Sequence, residues 1–198
     1  RIATFAFAGI EAQAVEVLGA DLRLQSPDPI GPGFAEEAAR RGLETARTAG
    51  LLSVVLNGDV TQLTNVYAVS ANYPLRGTVR IADEPFGAAR PADDVPRPGE
   101  IWPDSRLLAA LGATVGSELS VGAMRFRVAN VLISRPDQGS GFTDLAPSLL
   151  MNDADLPATQ LVQPGSRVRY AVLFGGTPAR VVAFADWLRE NKTPAQRL

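Results

Sequence analysis

The chain has 198 residues, a net charge of −2, and neither cysteine nor histidine. That length is one domain or two small subdomains, enough to bury a core without staples. The missing residues exclude disulfides, thiolate chemistry and zinc–thiolate or iron–sulfur sites, and remove the usual general base and imidazole ligand.

Residues 4–18 carry a helical spacing through Ile10, Ala14, Val17 and Leu18, with Gly19 as a stop. Phe5 and Phe7 lie upstream of that stripe. Residues 20–26 alternate, with Leu22 and Leu24 on one face, as a half-buried strand does. After the Pro–Gly turn, Phe34–Arg41 reads as a helix with Phe34, Ala35, Ala38 and Ala39 inward, closed by Gly42. Residues 43–56 form strand up to Asn57–Gly58, a strong hairpin signal, and Val60–Ser70 returns. This β-α-β-β order is typical of an α+β fold.

Composition changes near residue 82. Residues 83–98 are proline-rich and aperiodic, which predicts a connecting loop, with Asp93–Asp94 as a solvated pair. Residues 99–133 form a second, β-rich unit. Glu100–Trp102 is a short strand, and Asp104 caps a helix over Ser105–Leu111 that Gly112 stops. Ser117–Val121 and Met124–Ala129 are joined through Gly122–Ala123 as a hairpin, and Val131–Ile133 prolongs its second strand. Residues 134–146 are a further loop. Leu149–Met151 is a strand, and Asn152 or Asp153 caps a short helix. Val168–Phe174 is a strand. Thr177–Pro178 opens a last helix over Ala179–Asn191, with Val181, Phe184, Ala185 and Leu188 inward. The ending TPAQRL is polar and is expected to fray. The sequence thus predicts a discontinuous α+β subdomain over 1–82 plus 147–198. A β-rich insert over 99–133 interrupts it, joined by hinge-like loops.

Three stretches carry a family resemblance. They are LGADLRLQS (18–26), GEIWPDSRLLAALGATVGSELSVGAMRFRVANVL (99–132) and APSLLMNDADLPATQLVQPGSRVRYAVLF (146–174). Together they resemble the MacB-type periplasmic core domain of FtsX-like ABC transporter permeases, nearest the YbbP-like subgroup. The central run is the most specific. Leu108–Ala109, Leu111–Gly112, Val115–Gly116, Leu119, Val121–Gly122 and Val128–Ala129–Asn130–Val131 follow the family pattern, except that Asn130 stands where glycine is frequent. The resemblance implies a mixed α/β porter-like subdomain with an inserted β-rich sabre-like subdomain. It also implies membrane helices before Arg1 and after Leu198, with both ends facing the membrane, and a location on the periplasmic or extracytoplasmic face of the inner membrane. The expected partner is a cytoplasmic ABC ATPase acting through the membrane part; dimerisation is left open.

The residues offer little catalysis of their own. Asp153 and Asp155 suggest a hard cation, but no further carboxylates cluster nearby and Asp153 reads better as a cap. Ser140, Ser148 and Ser166 lack a histidine, and a serine–lysine dyad would depend on Lys192, the single lysine. Gly139-Ser140-Gly141 lacks the lysine of a phosphate loop. Gly175-Gly176-Thr177 is a strand–helix turn more than an anion site. No cofactor or metal is expected. Nineteen basic against 21 acidic residues give no basic excess for nucleic acid. No apolar run of about 18 residues crosses a membrane within the chain. Phe86, Trp102 and Phe142, in or near the loops between the subdomains, are the candidate contacts for a hydrophobic substrate or partner. The leading expectation is a non-catalytic extracytoplasmic domain that couples ATP hydrolysis elsewhere to export or extraction of a hydrophobic substrate or lipoprotein. A soluble periplasmic adaptor or binding module is the alternative, and a carboxylate-dependent hydrolase the more distant one.

Overall fold

The structure, a computed structural model, describes residues 19–138 and 145–198. The helix expected over 4–18, with Phe5 and Phe7, lies outside the described residues, as do Gly139, Ser140, Gly141 and Phe142. β1 (Leu22–Ser26) buries Leu24 and Ser26, and the helix α1 (Gly33–Arg40) follows the Pro–Gly turn. α1 buries Ala38 and half-buries Phe34 and Ala35, but Ala39, expected inward, is exposed. So short a helix presents only a narrow stripe to its sheet, and residue 39 is turned about 100° from residue 38.

β2 (Glu44–Asn57) and β3 (Val60–Val69) pair antiparallel from Thr48↔Val69 to Asn57↔Val60. Gly58, at φ 59°, supplies the positive φ that the first position of this two-residue turn requires. β4 (Arg80–Ala82) and β5 (Arg90–Pro91) are short, the latter inside the stretch expected to be loop. β6 (Glu100–Pro103) leads into α2 (Ser105–Leu111), where the Leu107 N–H donates to Asp104 at 2.8 Å and Gly112 ends the helix at φ 60°. The cap and stop lie where the sequence placed them.

β7 (Glu118–Val121) and β8 (Met124–Val128) form the expected hairpin. β9 (Val131–Ser134) does not prolong β8 as expected; it leaves the hairpin and pairs antiparallel with β4. The chain bends at Asn130, whose side-chain oxygen accepts from Arg90 at 3.2 Å. β10 (Ser148–Asn152) runs into a 3-10 turn (Asp153–Asp155) and α3 (Leu156–Thr159). Asn152 is the cap here, accepting from the Ala154 N–H at 3.0 Å. β11 (Arg169–Gly175) and α4 (Pro178–Asn191) complete the order, with Phe184, Ala185 and Leu188 buried.

The strands build one eight-stranded sheet, ordered β1-β11-β2-β3-β10-β6-β8-β7, and a small sheet, β5-β4-β9. β7 also returns to β2 through Val55↔Val121 and Leu56↔Ser120. That pairing closes β2, β3, β10, β6, β8 and β7 into a small barrel, the arrangement that removes strand edges. Its interior holds Val55, Val66, Ile101, Phe126, Leu149 and Met151, with α2 contributing Leu107, Leu108 and Leu111. At the other end of the sheet α1 and α4 cover one face through Leu24, Phe174 and Phe184, and the small sheet covers the other through Ile81, Trp102, Leu132 and Leu150. The fold is mixed α/β, as expected. Residues 99–133 supply β6, β7 and β8 to the same sheet and barrel core as the flanking segments.

The ending does not fray. The Gln25 N–H donates to the Arg197 carbonyl at 2.7 Å, and the Arg197 N–H to that of Gln25 at 2.9 Å. Lys192 Nζ donates to the Gln196 carbonyl at 3.1 Å, and Gln196 is buried. Backbone groups on the β1 edge need partners, and a polar tail satisfies them as well as an apolar one.

Candidate functional site

Two features stand out where the central run meets the flanking segments. The first is a cleft of about 380 Å³ lined by Asp104, Arg106, Leu132, Ile133, Gln138 and Ser148, with Ser105 at its edge. Asp104 is fully engaged. It caps α2, and its second oxygen accepts from the Ser148 N–H at 3.0 Å and from Arg106 at 3.0 Å. Both of its oxygens are thus occupied by donors from α2, β10 and Arg106. Apolar side chains gather close by. Phe86 is 79% exposed, and its N–H donates to Ser105 Oγ at 3.2 Å. Ile133 is partly exposed within the lining, and Leu145 precedes the Ala146 carbonyl to which Arg106 donates at 3.3 Å.

The three aromatic residues singled out in the sequence therefore part company. Phe86 stands beside the cleft at φ 60°, a conformation uncommon for a bulky residue. Trp102 lies inside the core between the sheets, opposite Leu150, and its indole N–H has no partner among the described residues. Phe142 lies outside the described residues. The other sequence candidates resolve into structure. Asp153 pairs with Arg47 at 2.8 Å, and Asp155 accepts from the Gly99 N–H at 2.8 Å. Ser148 and Ser166 donate to Asp104 and to the Leu161 carbonyl. The Gly176 N–H donates to Asp21 at 2.9 Å. Among the described residues no group of three acidic, histidine or cysteine side chains is placed to hold a metal.

The second feature is an ionic anchor around Gly19, which the sequence did not announce. The Gly19 carbonyl accepts from the N–H groups of Leu75 and Arg76, at 3.1 and 3.0 Å. Arg76 forks onto Asp21, Nε to one oxygen at 3.0 Å and Nη2 to the other at 2.5 Å. Beside them Arg135 pairs with Asp137, and the Tyr73 hydroxyl donates to the same Asp137 oxygen. The Arg135 guanidinium also lies over the Tyr67 ring, 3.4 Å from its centroid. Arg135 and Asp137 are each only 3% exposed at the side chain, so the pair is held in a low-dielectric setting. Pro136 and Asp137 pack against Gly19, where an added Cβ would stand 3.6 and 3.7 Å from theirs.

Burial pushes the Tyr73 hydroxyl well above the ordinary tyrosine range, and the Asp137 charge adds to it. Burial pulls Arg135 down, but Asp137 and the two tyrosines outweigh it, so the guanidinium is held charged. The sign for stability follows from Tyr73. Above about pH 10 the unfolded chain loses the proton that the fold keeps, so stability is complete below that value and falls as pH rises toward the raised one. Tyr73→Phe is expected to cost about 1.5–3 kcal/mol at neutral pH through the lost bond to a charged acceptor, and to flatten the alkaline decline. Urea midpoints at pH 7 and above pH 10 check this. Parallel alkaline declines in the two proteins would remove Tyr73 as the cause.

No family model matches the chain. Over 189 residues, 96% of the chain, it is 33% identical to the uncharacterized ABC transporter permease YbbP of Escherichia coli strain K12. It spans 22% of that relative's length. Among solved structures, the periplasmic region of MacB from Actinobacillus actinomycetemcomitans superposes with a TM-score of 0.56 at 11% identity, covering 89% of this chain and 86% of that one. The extracellular domain of the noncanonic ABC-type transporter YknZ from Gram-positive bacteria gives 0.52, also at 11% identity, over 89% and 97%. Both solved neighbours are periplasmic or extracellular domains, the location expected from the sequence. The chain is therefore similar over nearly its whole length to a segment of the YbbP permease and has the fold of the MacB and YknZ extracytoplasmic domains, in line with the resemblance carried by its central run.

Proposed function

We propose that this chain is a non-catalytic domain outside the inner membrane that couples ATP hydrolysis by a cytoplasmic ABC ATPase to export or membrane extraction of a hydrophobic substrate or lipoprotein. The observation that carries this reading is the likeness to the YbbP permease across nearly the whole chain. The anchor supports it. Gly19, the expected stop of the helix over 4–18, is held by backbone bonds from Leu75 and Arg76 and by packing against Pro136 and Asp137. The tail, antiparallel to β1, runs back toward the Leu22 end of that strand, as a chain returning to the same surface would. The cleft beside Phe86, with Ile133 and Leu145 close by, is the favoured place for an apolar ligand. A hydrolase acting through paired carboxylates gains no support there: among the described lining residues Asp104 is the one carboxylate, and both its oxygens accept hydrogen bonds.

The full-length gene tests the reading first. Apolar stretches of roughly 20 residues are expected on both sides of this segment, and their absence sinks it. The second test is the permease reconstituted with its ATPase, with a spin label at a single introduced cysteine on each side of the Gly19 anchor. Nucleotide is expected to change the distance between the labels. An unchanged distance through the ATPase cycle would count against coupling.

A further inference from the structure

We infer that Asn57 is a modification site built into the β2–β3 turn, losing its amide spontaneously at a rate set by how often the hairpin tip opens from α2. Of the six asparagines in the chain, Asn57 alone is followed by glycine. In such a pair the backbone nitrogen of the second residue attacks the side-chain amide carbon of the first, because no side chain shields it. Gly58 meets that condition: nothing lies within 4 Å of the place a Cβ would take. The other five asparagines precede valine, tyrosine, aspartate or lysine, whose side chains crowd the same nitrogen.

The chemistry needs nothing but water. The Gly58 nitrogen bonds to Asn57 Cγ and gives up its proton, the side-chain nitrogen leaves as ammonia, and a cyclic imide closes. Water then opens the ring at either carbonyl, leaving an aspartyl or an isoaspartyl residue. The net change is one amide hydrolysed, with nothing oxidised or reduced.

The fold holds this reaction off in two ways. Asn57 is the last rung of the ladder, opposite Val60, and its extended backbone carries the Gly58 nitrogen away from Cγ. Its amide also donates to the Leu111 carbonyl at 2.9 Å. Leu111 ends α2, where carbonyls lack a partner within the helix, and the Asn57 amide supplies one. Attack therefore waits until the end of the ladder and this bond open together, a local event that needs no global unfolding. Once the amide is gone the contact cannot re-form. A carboxylate only accepts, so two acceptors would face each other where a donor met a carbonyl. An isoaspartyl residue also adds a backbone atom and spoils the Asn57↔Val60 register. The site acts as a one-way release of the hairpin tip from α2.

The test incubates the 198-residue chain in mildly alkaline buffer, folded and in urea. Trypsin then frees residues 48–76, which hold Asn57, Asn65 and Asn72, and fragment masses assign the acid to one of them. The acid is expected at Asn57 and not at the other two. It is expected to form roughly tenfold or more slowly in the folded chain, since at least one hydrogen bond must open first. Asn57→Asp makes the aspartyl product directly. Its urea midpoint is expected to fall below that of the parent chain and below that of Asn57→Ala, which removes the donor without adding an acceptor. No excess of acid at Asn57 in urea, or equal rates folded and in urea, overturns the inference. An Asn57→Asp midpoint equal to the parent's overturns the release that it assigns to the modification.

Discussion

Replacing Asp137 by asparagine will destabilise the chain by about 3–5 kcal/mol, the usual cost of leaving a buried charge without its counter-ion. The Arg135 guanidinium would keep the Tyr67 ring but lose the carboxylate that it and the Tyr73 hydroxyl share. For a protein with a margin of about 5–15 kcal/mol this is a large fraction of the total. The measurement is urea unfolding, with the midpoint displaced and the slope unchanged. Arg135→Met combined with Asp137→Leu removes both charges and is expected to recover most of the loss, because the penalty lies in the unpaired ion and not in the missing pair. A cost below about 1 kcal/mol for the single change would mean that the pair behaves as a surface pair. Pro136 and Asp137 also pack against Gly19, so the change loosens the contact that holds this residue to the sheet.

The parts of the fold legible in the sequence are those fixed by neighbours in the chain. Asp104 and Gly112 mark α2 because a cap and a left-handed stop act within one turn. Asn57–Gly58 marks the β2–β3 turn for the same reason. β9 was misplaced because its partner, β4, is three residues long and lies some fifty positions earlier. A strand that short carries no periodic signal of its own. The anchor was hidden differently. In SRPDQ, Arg135 and Asp137 look like solvated loop charges, and only the approach of Tyr67 and Tyr73 from β3 and the segment after it buries them. The hint available was composition: two of the three tyrosines in the chain fall within seven positions at that end of β3. Trp102 shows the converse. Its place beside a proline and near a loop suggested a surface contact, but its strand sits between β10 and β8 with small-sheet residues above, so the ring is core.

Gly122→Ala will cost about 2–5 kcal/mol, the sum of a left-handed backbone term of about 1–2 and an overpacking term of about 1–3. Gly122 has φ 58°, and a Cβ there would overlap the Thr159 carbonyl oxygen and press on Leu161 Cδ2 at 2.8 Å. That oxygen is backbone and accepts from the Ala123 N–H at 2.8 Å, so it cannot yield without breaking the contact that seats the β7–β8 hairpin on α3. Gly112→Ala is the control. Its φ is 60°, nearly the same, and nothing lies within 4 Å of a Cβ there, so it should show the backbone term alone. The difference between the two urea midpoints then isolates the docking of the hairpin. Equal costs would mean that hairpin and α3 separate freely. The comparison also bears on motion within the domain. Rotation of residues 99–133 as a body must break this seat, the Gly99–Asp155 bond, the Asn57 bond to the Leu111 carbonyl, the β6–β10 ladder and the β2–β7 closure together. A large Gly122 penalty therefore predicts that this unit moves with the sheet as one stiff body.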